Sequence, residues 1–198
     1  MSGTLPTSPA FSSLIVQSVQ PTFISRSISG RRQARQTHGQ YFKMTASFPP
    51  MTRAQFAPIH AFVLKQRGQF ESFQVVPPVV NAGLGSPAGT PLVNGASQTG
   101  RSVVTDGWNA SITIFKAGDY LKFANHDKVY SVTADATSNG SGQSTITIEP
   151  ALITSPANDS AITYTSVPFT VALTSRVQEF STNTTGLFEF EIDMEEVL

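Results

Sequence analysis

The clearest structural signal in the sequence is Leu187-Phe188-Glu189-Phe190-Glu191-Ile192-Asp193-Met194-Glu195, a stretch in which apolar and acidic side chains alternate. Successive side chains of a β-strand point to opposite faces of the sheet, so this spacing predicts one long strand with a buried face and an acidic face. Like charges that are neighbours on one face repel, so we expect the acidic face to meet cations. The candidate acidic partners are Glu189, Glu191, Asp193 and Glu195.

Similar alternation recurs along the chain and predicts a mainly β fold. Nine further strands are expected, at 13–19, 22–28, 40–48, 71–76, 119–124, 128–133, 144–149, 161–165 and 168–175.

One α-helix is predicted from about 53 to 66. Thr52 and Gln55 have the spacing of a capping box, which marks a helix N-terminus. Pro58 predicts either a kink or a start delayed to about residue 55. The apolar stripe at helical spacing consists of Phe56, Ile59 and Val63, with Phe62 as a further candidate. A lone helix of this kind is expected to cover one face of a sheet.

The composition changes after Val76-Pro77-Pro78, where a glycine- and proline-rich segment, 81–100, predicts a loop with little core potential. Val167-Pro168-Phe169 opens another long strand and resembles the far edge of an insertion. We therefore predict a discontinuous outer domain formed by 1–78 plus 167–198, which includes the helix. A small β domain is predicted to be inserted at 79–166.

Charge is scarce and unevenly distributed. Charged residues make up 13% of the 198 residues, about half of the usual share. Residues 1–70 contain eight basic and no acidic side chains, whereas the rest contains thirteen acidic and five basic ones. The two segments could pair within one domain, dock neighbouring copies head to tail, or bring the basic part to nucleic acid. The candidate docking cations are Arg31, Arg32 and Arg35.

Motifs that would indicate chemistry are scarce. The absence of cysteine removes disulfides, thiolate metal sites and a cysteine nucleophile. No nucleophile elbow or phosphate-binding loop is present. The histidines His38, His60 and His126 lack the spacing of a metal site, and Asp119, Asp127 and Asp135 have the settings of turn residues. We therefore predict no catalytic residue, metal ligand or cofactor.

Two alternative functions follow from individual residues. A tryptophan such as Trp108, in Asp106-Gly107-Trp108-Asn109, is more often a core or turn-packing aromatic, but it could instead stack on a sugar and make the insert a glycan-binding β module. The acidic residues of the C-terminal strand could in principle supply a hydrolase, although glycoside hydrolysis needs two carboxylates in different environments across a cleft. The N-terminus lacks the features of a signal peptide, and no apolar stretch reaches membrane length, so no membrane partner is expected.

Several stretches resemble structural proteins from the tails of tailed bacteriophages. The N-terminal ones are Ser29–Arg35, Gly39–Phe42, Pro49–Arg53, Leu64–Gly68 and Phe73–Pro78. Within the predicted insert, Ala96–Gly100, Thr105–Trp108, Lys116–Tyr120, Val129–Asp135 and Ile146–Pro150, followed by Thr170–Leu173, are similar to a small β module of phage minor tail proteins.

The resemblance is closest to a distal tail protein, and it implies both fold and function. Such proteins have a β-sandwich or barrel with one helix and no catalytic residues, and they form rings near the baseplate. The expected function is therefore a homo-oligomeric, commonly hexameric ring that joins the tail tube to the baseplate or hub. The alternatives are a glycan-binding module of a phage adhesion device or another tail protein, such as a tube or terminator protein.

The resemblance also implies partners and a location. The expected partners are copies of the chain itself and other tail proteins from the tube, hub, baseplate or fibres. DNA is expected to pass through the ring without specific binding. The protein is expected in the virion, as part of a tail that is assembled in the cytoplasm of the bacterial host.

Overall fold

The computed structural model of the chain describes residues 2–37, 39–78 and 83–198. It divides into two compact units, of which the first consists of the residues up to Gln74 together with Val171–Leu198. The second unit consists of Val75–Thr170. The predicted start of the insert, at residue 79, lies outside the described residues.

The elements follow one another along the chain as strands with a single described helix among them. They are β1 (Ser13–Val19), β2 (Thr22–Arg26), β3 (Arg32–Gln36), β4 (Tyr41–Ser47), α1 (Arg53–Lys65), β5 (Phe73–Val75), β6 (Gly89–Val93), β7 (Ser102–Trp108), β8 (Thr113–Phe115), β9 (Tyr120–Phe123), β10 (Val129–Val132), β11 (Ala136–Thr137), β12 (Ser144–Glu149), β13 (Ile162–Thr163), β14 (Phe169–Leu173), β15 (Phe180–Thr182) and β16 (Phe188–Glu196). This content confirms the predicted mainly β fold class.

The main sheet of the first unit has the strand order β1-β4-β16-β14-β5, and β15 pairs with β16 beside this path. The predicted alternation of β16 is confirmed. Phe190, Ile192 and Met194 are buried, whereas Glu191 and Asp193 are exposed. Because β16 lies between β4 and β14, its apolar face is central to the core of this unit.

Helix α1 packs on the buried face of this sheet. The capping box is present, and the backbone N–H of Thr52 donates to Gln55 Oε1 at 3.0 Å. The helix begins at Arg53, so the alternative of a start delayed to residue 55 is wrong. The ring of Phe56 stacks on Phe188, with ring centroids 4.7 Å apart. The helix therefore covers the sheet through aromatic contacts, as its apolar stripe predicted.

The second unit is a nearly closed β-barrel. Its six-stranded sheet has the order β13-β9-β10-β12-β7-β6, and a bridge between Leu92 and Ala161 connects the two ends of that order. Strands β8 and β11 form a separate pair. The buried side chains of the barrel core include Trp108, Phe115 and Tyr130. Among them, Tyr130 is completely buried.

Part of the second unit differs from the sequence prediction. The segment 81–100 was predicted as a loop, but it contains β6, and Val93 of that strand is completely buried. A close approach explains Gly89 in this segment, since a Cβ added there would collide with the carbonyl oxygen of Gly107 on β7. Glycine here allows two strands to approach closely, so it does not mark a loop.

Replacement of Phe56 by alanine should strongly destabilise the first unit. Phe56 is 5% exposed, and its ring contacts His60 on the same helix and Phe188 on the sheet. Removal of a buried phenylalanine ring costs about 3–5 kcal/mol in the free energy of unfolding. The loss can be measured by chemical denaturation followed by circular dichroism.

The matched control is Phe70→Ala, because Phe70 is 75% exposed. The contact of Phe70 with Arg67 is a surface cation–π interaction. Loss of this contact should lower the free energy of unfolding by less than about 1 kcal/mol. Equal losses in the two variants would contradict the assignment of Phe56 to the core.

Candidate docking surfaces

Strands β2 and β3 form a hairpin that is exposed throughout. We call residues 20–37 the arm, and every one of them is exposed. The two strands pair only with each other among the described strands, and no core residue lies between Gln20 and Thr37. The turn is local, since the N–H of Gly30 donates to the carbonyl oxygen of Ser27 at 2.8 Å. The arm is thus a two-stranded ribbon with both faces in solvent.

The pairing register places apolar and basic side chains together on the arm. Ile24 pairs with Ala34, and Arg26 pairs with Arg32 two positions further along the same face. Ile24 is 56% exposed. Two arginines that lie directly opposite each other repel, so this face favours contact with an acidic partner.

The opposite face of the arm repeats this mixture of chemistry. Phe23 pairs with Arg35, and Phe23 is 72% exposed. Arg31 lies next to β3, at the end of the turn, and is also exposed. The three predicted docking cations therefore lie on one projecting element. The arm carries exposed apolar side chains in addition, which the charge pattern alone did not predict.

The acidic residues of β16 lie on the face of the main sheet opposite to its apolar core. Ser47 Oγ donates to Glu191 Oε2 at 2.7 Å, and Thr45 Oγ1 donates to Asp193 Oδ1 at 2.6 Å. These neutral donors hold the carboxylates in place but leave their negative charge uncompensated. Glu195 differs, because its Cα partner in the ladder is Lys43 on β4 and because it is half-buried.

A groove of about 650 Å³ lies at the start of this acidic face. We call it the acidic groove, and it is formed by four separate segments of the first unit. The residues that line it are Ser12, Ser47, Phe48, Pro49, Pro50, Glu179, Phe180, Ser181, Glu189, Phe190 and Glu191. The groove thus combines three carboxylates with phenylalanine and proline surfaces.

Ion pairs are absent between the basic and acidic surfaces in the part of the chain that the structure describes. The ion pairs found there are Arg101–Glu149 at 2.6 Å, Lys116–Asp135 at 2.6 Å and Lys122–Asp127 at 3.9 Å. All three belong to the second unit. Pairing of the basic and acidic segments within one domain is therefore not seen among these residues.

The structure places Trp108 in the core and does not support the alternative in which it stacks on a sugar. The side chain is 5% exposed, and its indole N–H donates to Thr105 Oγ1 at 2.9 Å. Its ring packs edge-on against Phe115 in the barrel core. A buried and hydrogen-bonded indole offers no face to a ligand, so the glycan-binding alternative loses its candidate residue.

The aspartates that were interpreted as turn residues hold backbone turns. Asp119 accepts hydrogen bonds from the backbone N–H groups of Leu84 and Lys116, at 2.7 and 2.8 Å. Asp135 accepts one from the N–H of Ala117 at 3.0 Å, and its ion pair with Lys116 lowers its pKa. Within 2–37, 39–78 and 83–198, no group of three or more metal-binding side chains occurs.

The described histidines lie in aromatic surroundings. His60 stacks on Phe56, with ring centroids 5.0 Å apart. His126 is buried, and its Nδ1 lies 3.0 Å from the Tyr130 hydroxyl. Burial lowers the pKa of His126, because desolvation disfavours the charged imidazolium. His38 lies outside the described residues.

Sequence reasoning found only part of these surfaces. It named Arg31, Arg32 and Arg35 on the arm, but it missed Arg26 and the exposed apolar side chains. On the acidic side it missed Glu179, which lies just before β15 and reaches the groove through the β15–β16 pairing. The adjacent apolar pair Phe23-Ile24 was an available signal, because a strand with apolar side chains on both faces needs cover on both.

The fold and these surfaces define a class of protein: a β-rich component whose exposed, complementary surfaces suit assembly with other protein chains. No described helix is long and apolar enough to span a membrane. A comparison with curated proteins gave no match.

The family comparison identifies the second unit. Residues 81–167 match the family model described as distal tail protein pb9, B domain. This match confirms the resemblance to a phage distal tail protein that the sequence indicated. The chain accordingly has a structural role in a bacteriophage tail, where it acts among other tail proteins of the virion.

The buried imidazole predicts a loss of stability at mildly acidic pH. Because the pKa of His126 is lower in the folded chain than the ordinary value of 6.5, the unfolded chain binds the proton more readily. The contribution of neutral His126 to the free energy of unfolding is therefore fully present above pH 6.5. This contribution is lost as the pH decreases from 6.5 toward the pKa of His126 in the folded chain. Urea unfolding followed by the fluorescence of Trp108, the single tryptophan, measures this at about pH 7.5 and 5.5.

The His126→Gln variant should show a smaller pH dependence over this range, whatever its absolute stability. The matched control is His60→Gln, which retains the buried imidazole of His126 and should keep the pH dependence of the free energy of unfolding. An unchanged dependence in His126→Gln would show that other groups cause it.

Proposed function

We propose that copies of this chain form a closed homo-oligomeric ring that joins the phage tail tube to the baseplate or hub. The match to a distal tail protein domain and the resemblance of the remaining sequence to such proteins support this position. The resemblance also supports a ring of six copies. On this proposal the ring assembles in the host cytoplasm and is incorporated into the virion.

One observation carries the ring proposal: a single unit presents both a basic arm and an acidic face, without an ion pair between them among the described residues. Two different complementary surfaces on one copy lead to head-to-tail contacts with neighbours. Such contacts close into a ring when the rotation between copies permits it. Complementary charge also guides the approach of the partners.

The edge of the main sheet supports coverage by a neighbour. Strand β1 lies at the end of the strand order, and its residues, Ser13–Val19, include no charged side chain. Ile15 on this strand is 53% exposed. Exposed sheet edges usually carry charges or prolines that prevent unwanted pairing, so an uncharged edge is typical of a strand that a partner covers.

On this proposal the two parts of the chain have different tasks. The domain formed by 1–78 plus 167–198 makes the ring, and the inserted domain at 79–166 presents a surface to another tail protein. Arg31, Arg32 and Arg35 are the proposed docking cations. Their proposed acidic partners on the neighbouring copy are Glu189, Glu191, Asp193 and Glu195.

The lumen of the proposed ring lets DNA pass without specific binding. The basic side chains of the arm meet carboxylates of a neighbouring copy in this arrangement, so they do not line the channel as a phosphate-binding surface. A tube or terminator protein would also form rings. The B-domain match favours the distal tail position over these alternatives.

Charge reversal on the arm should prevent ring formation. In the double variant Arg31→Glu, Arg32→Glu, the arm would bring negative charge to an acidic face, which costs several kcal/mol and weakens association at least about tenfold. Light scattering on the purified chain should show rings for the natural sequence and smaller species for the variant. Added salt should weaken the natural rings, because exposed charges are screened.

The matched control is Arg53→Glu with Lys65→Glu, which makes the same change in net charge on exposed positions of α1. This variant should still form rings. Normal rings from the arm variant would overturn electrostatic docking, and a natural chain that stays monomeric at high concentration would overturn the ring itself.

A further inference from the structure

We infer that the arm of one copy inserts into the acidic groove of the next copy, so that each subunit contributes one half of the contact. This inference rests on the proposed ring and specifies its interface. It adds the apolar residues of both surfaces, together with Arg26 and Glu179, to the contact.

The chemistry of one arm face matches the chemistry of the groove. Ile24 and Ala34 form an apolar pair, and Arg26 and Arg32 form a basic pair beside it on the same face. The groove offers Phe180 and other apolar side chains next to three carboxylates. Apolar surface would then meet apolar surface, while the guanidinium groups reach carboxylates, which they bind with two parallel hydrogen bonds.

The repulsion between the paired arginines of the arm favours its contact with an acidic surface. Arg26 and Arg32 are direct ladder partners, and like charges in this position destabilise an isolated hairpin. Carboxylates between or beside them reverse this effect. The groove has Glu189 and Glu191 two positions apart on one strand face, and Glu179 comes from the segment next to β15.

The size of the groove decides which part of the arm enters. A volume of about 650 Å³ lies within the range of pockets that hold a drug-sized molecule. It is large enough for several side chains but not for a two-stranded ribbon of five paired residues, which is about 17 Å long. The ribbon would therefore lie across the groove with the side chains of one face inserted.

A second copy is the occupant that the charges favour. The arm and the groove belong to the same chain, the arginines of the arm and the groove residues Glu179, Glu189 and Glu191 are exposed, and no ion pair joins these arginines to these carboxylates within one copy. Every copy thus offers one arm and one groove, and this equal number suits a repeating contact. A basic segment of another tail protein is the competing occupant, and the experiment distinguishes it.

Engineered cysteines test the contact directly, because the natural chain contains none. Two variants carry Ile24→Cys on the arm with either Ser12→Cys or Ser181→Cys in the groove. The assembled protein is treated with an oxidant or with a short bismaleimide and separated on denaturing gels. We expect a ladder of covalent oligomers that ends at the size of the ring measured by light scattering.

The control pair is Ile24→Cys with Leu64→Cys, since Leu64 is 57% exposed on α1 and lies outside the groove. It should give no ladder. Rings without cross-links in both groove variants would overturn the arm–groove contact and leave the ring in place. Covalent dimers alone would keep the contact and overturn the closed ring, and a monomer without cross-links would overturn both.

Exchange of charge between the two surfaces gives an independent test. One variant carries Arg26→Glu with Arg32→Glu, and the other carries Glu189→Lys with Glu191→Lys. Each should lose the ring when it is alone, whereas a mixture should form rings of alternating subunits. Failure of the mixture, or a normal ring from either variant alone, would overturn the inference.

Discussion

The packing of the apolar face of β16 beneath α1 is the contact on which the rest of the first unit depends. Phe190, Ile192 and Met194 are buried at the centre of the main sheet, and Phe56 of the helix packs against this strand. Since side chains alternate along a strand, burial of one set forces the acidic set onto the opposite face. The acidic surface is therefore a direct consequence of how the core is built.

The distribution of ion pairs distinguishes the two units. The barrel-like unit uses its charges internally, as in the contacts of Lys116 with Asp135 and of Arg101 with Glu149. In the unit that contains the main sheet, the arginines of the arm and the carboxylates of Glu189, Glu191 and Asp193 form none of these pairs. The few charged residues therefore differ in role between the units. Several of those in the second unit form ion pairs within it, whereas those on the arm and the acidic face of the first unit are available to other molecules.

Local patterns were predictable from sequence, and long-range pairings were not. The alternation around Glu191 and the capping box at Thr52 depend on residues close in sequence. Strand β3 was missed because its polar, exposed residues show no alternation, and β6 was missed because glycine and proline obscured it. The burial of Trp108 and the formation of the groove around Phe180 depend on contacts between segments that are distant in sequence. A local sequence pattern does not determine such contacts.

The position of the insertion has a consequence for how such a protein can change. The chain leaves the main sheet after β5 and returns on β14, and these two strands are neighbours in that sheet. Adjacent strands lie about 4.8 Å apart, and no strand of the second unit lies between these two. The strand order of the main sheet therefore involves no strand of the barrel-like sheet, so differences within that sheet leave this order unchanged.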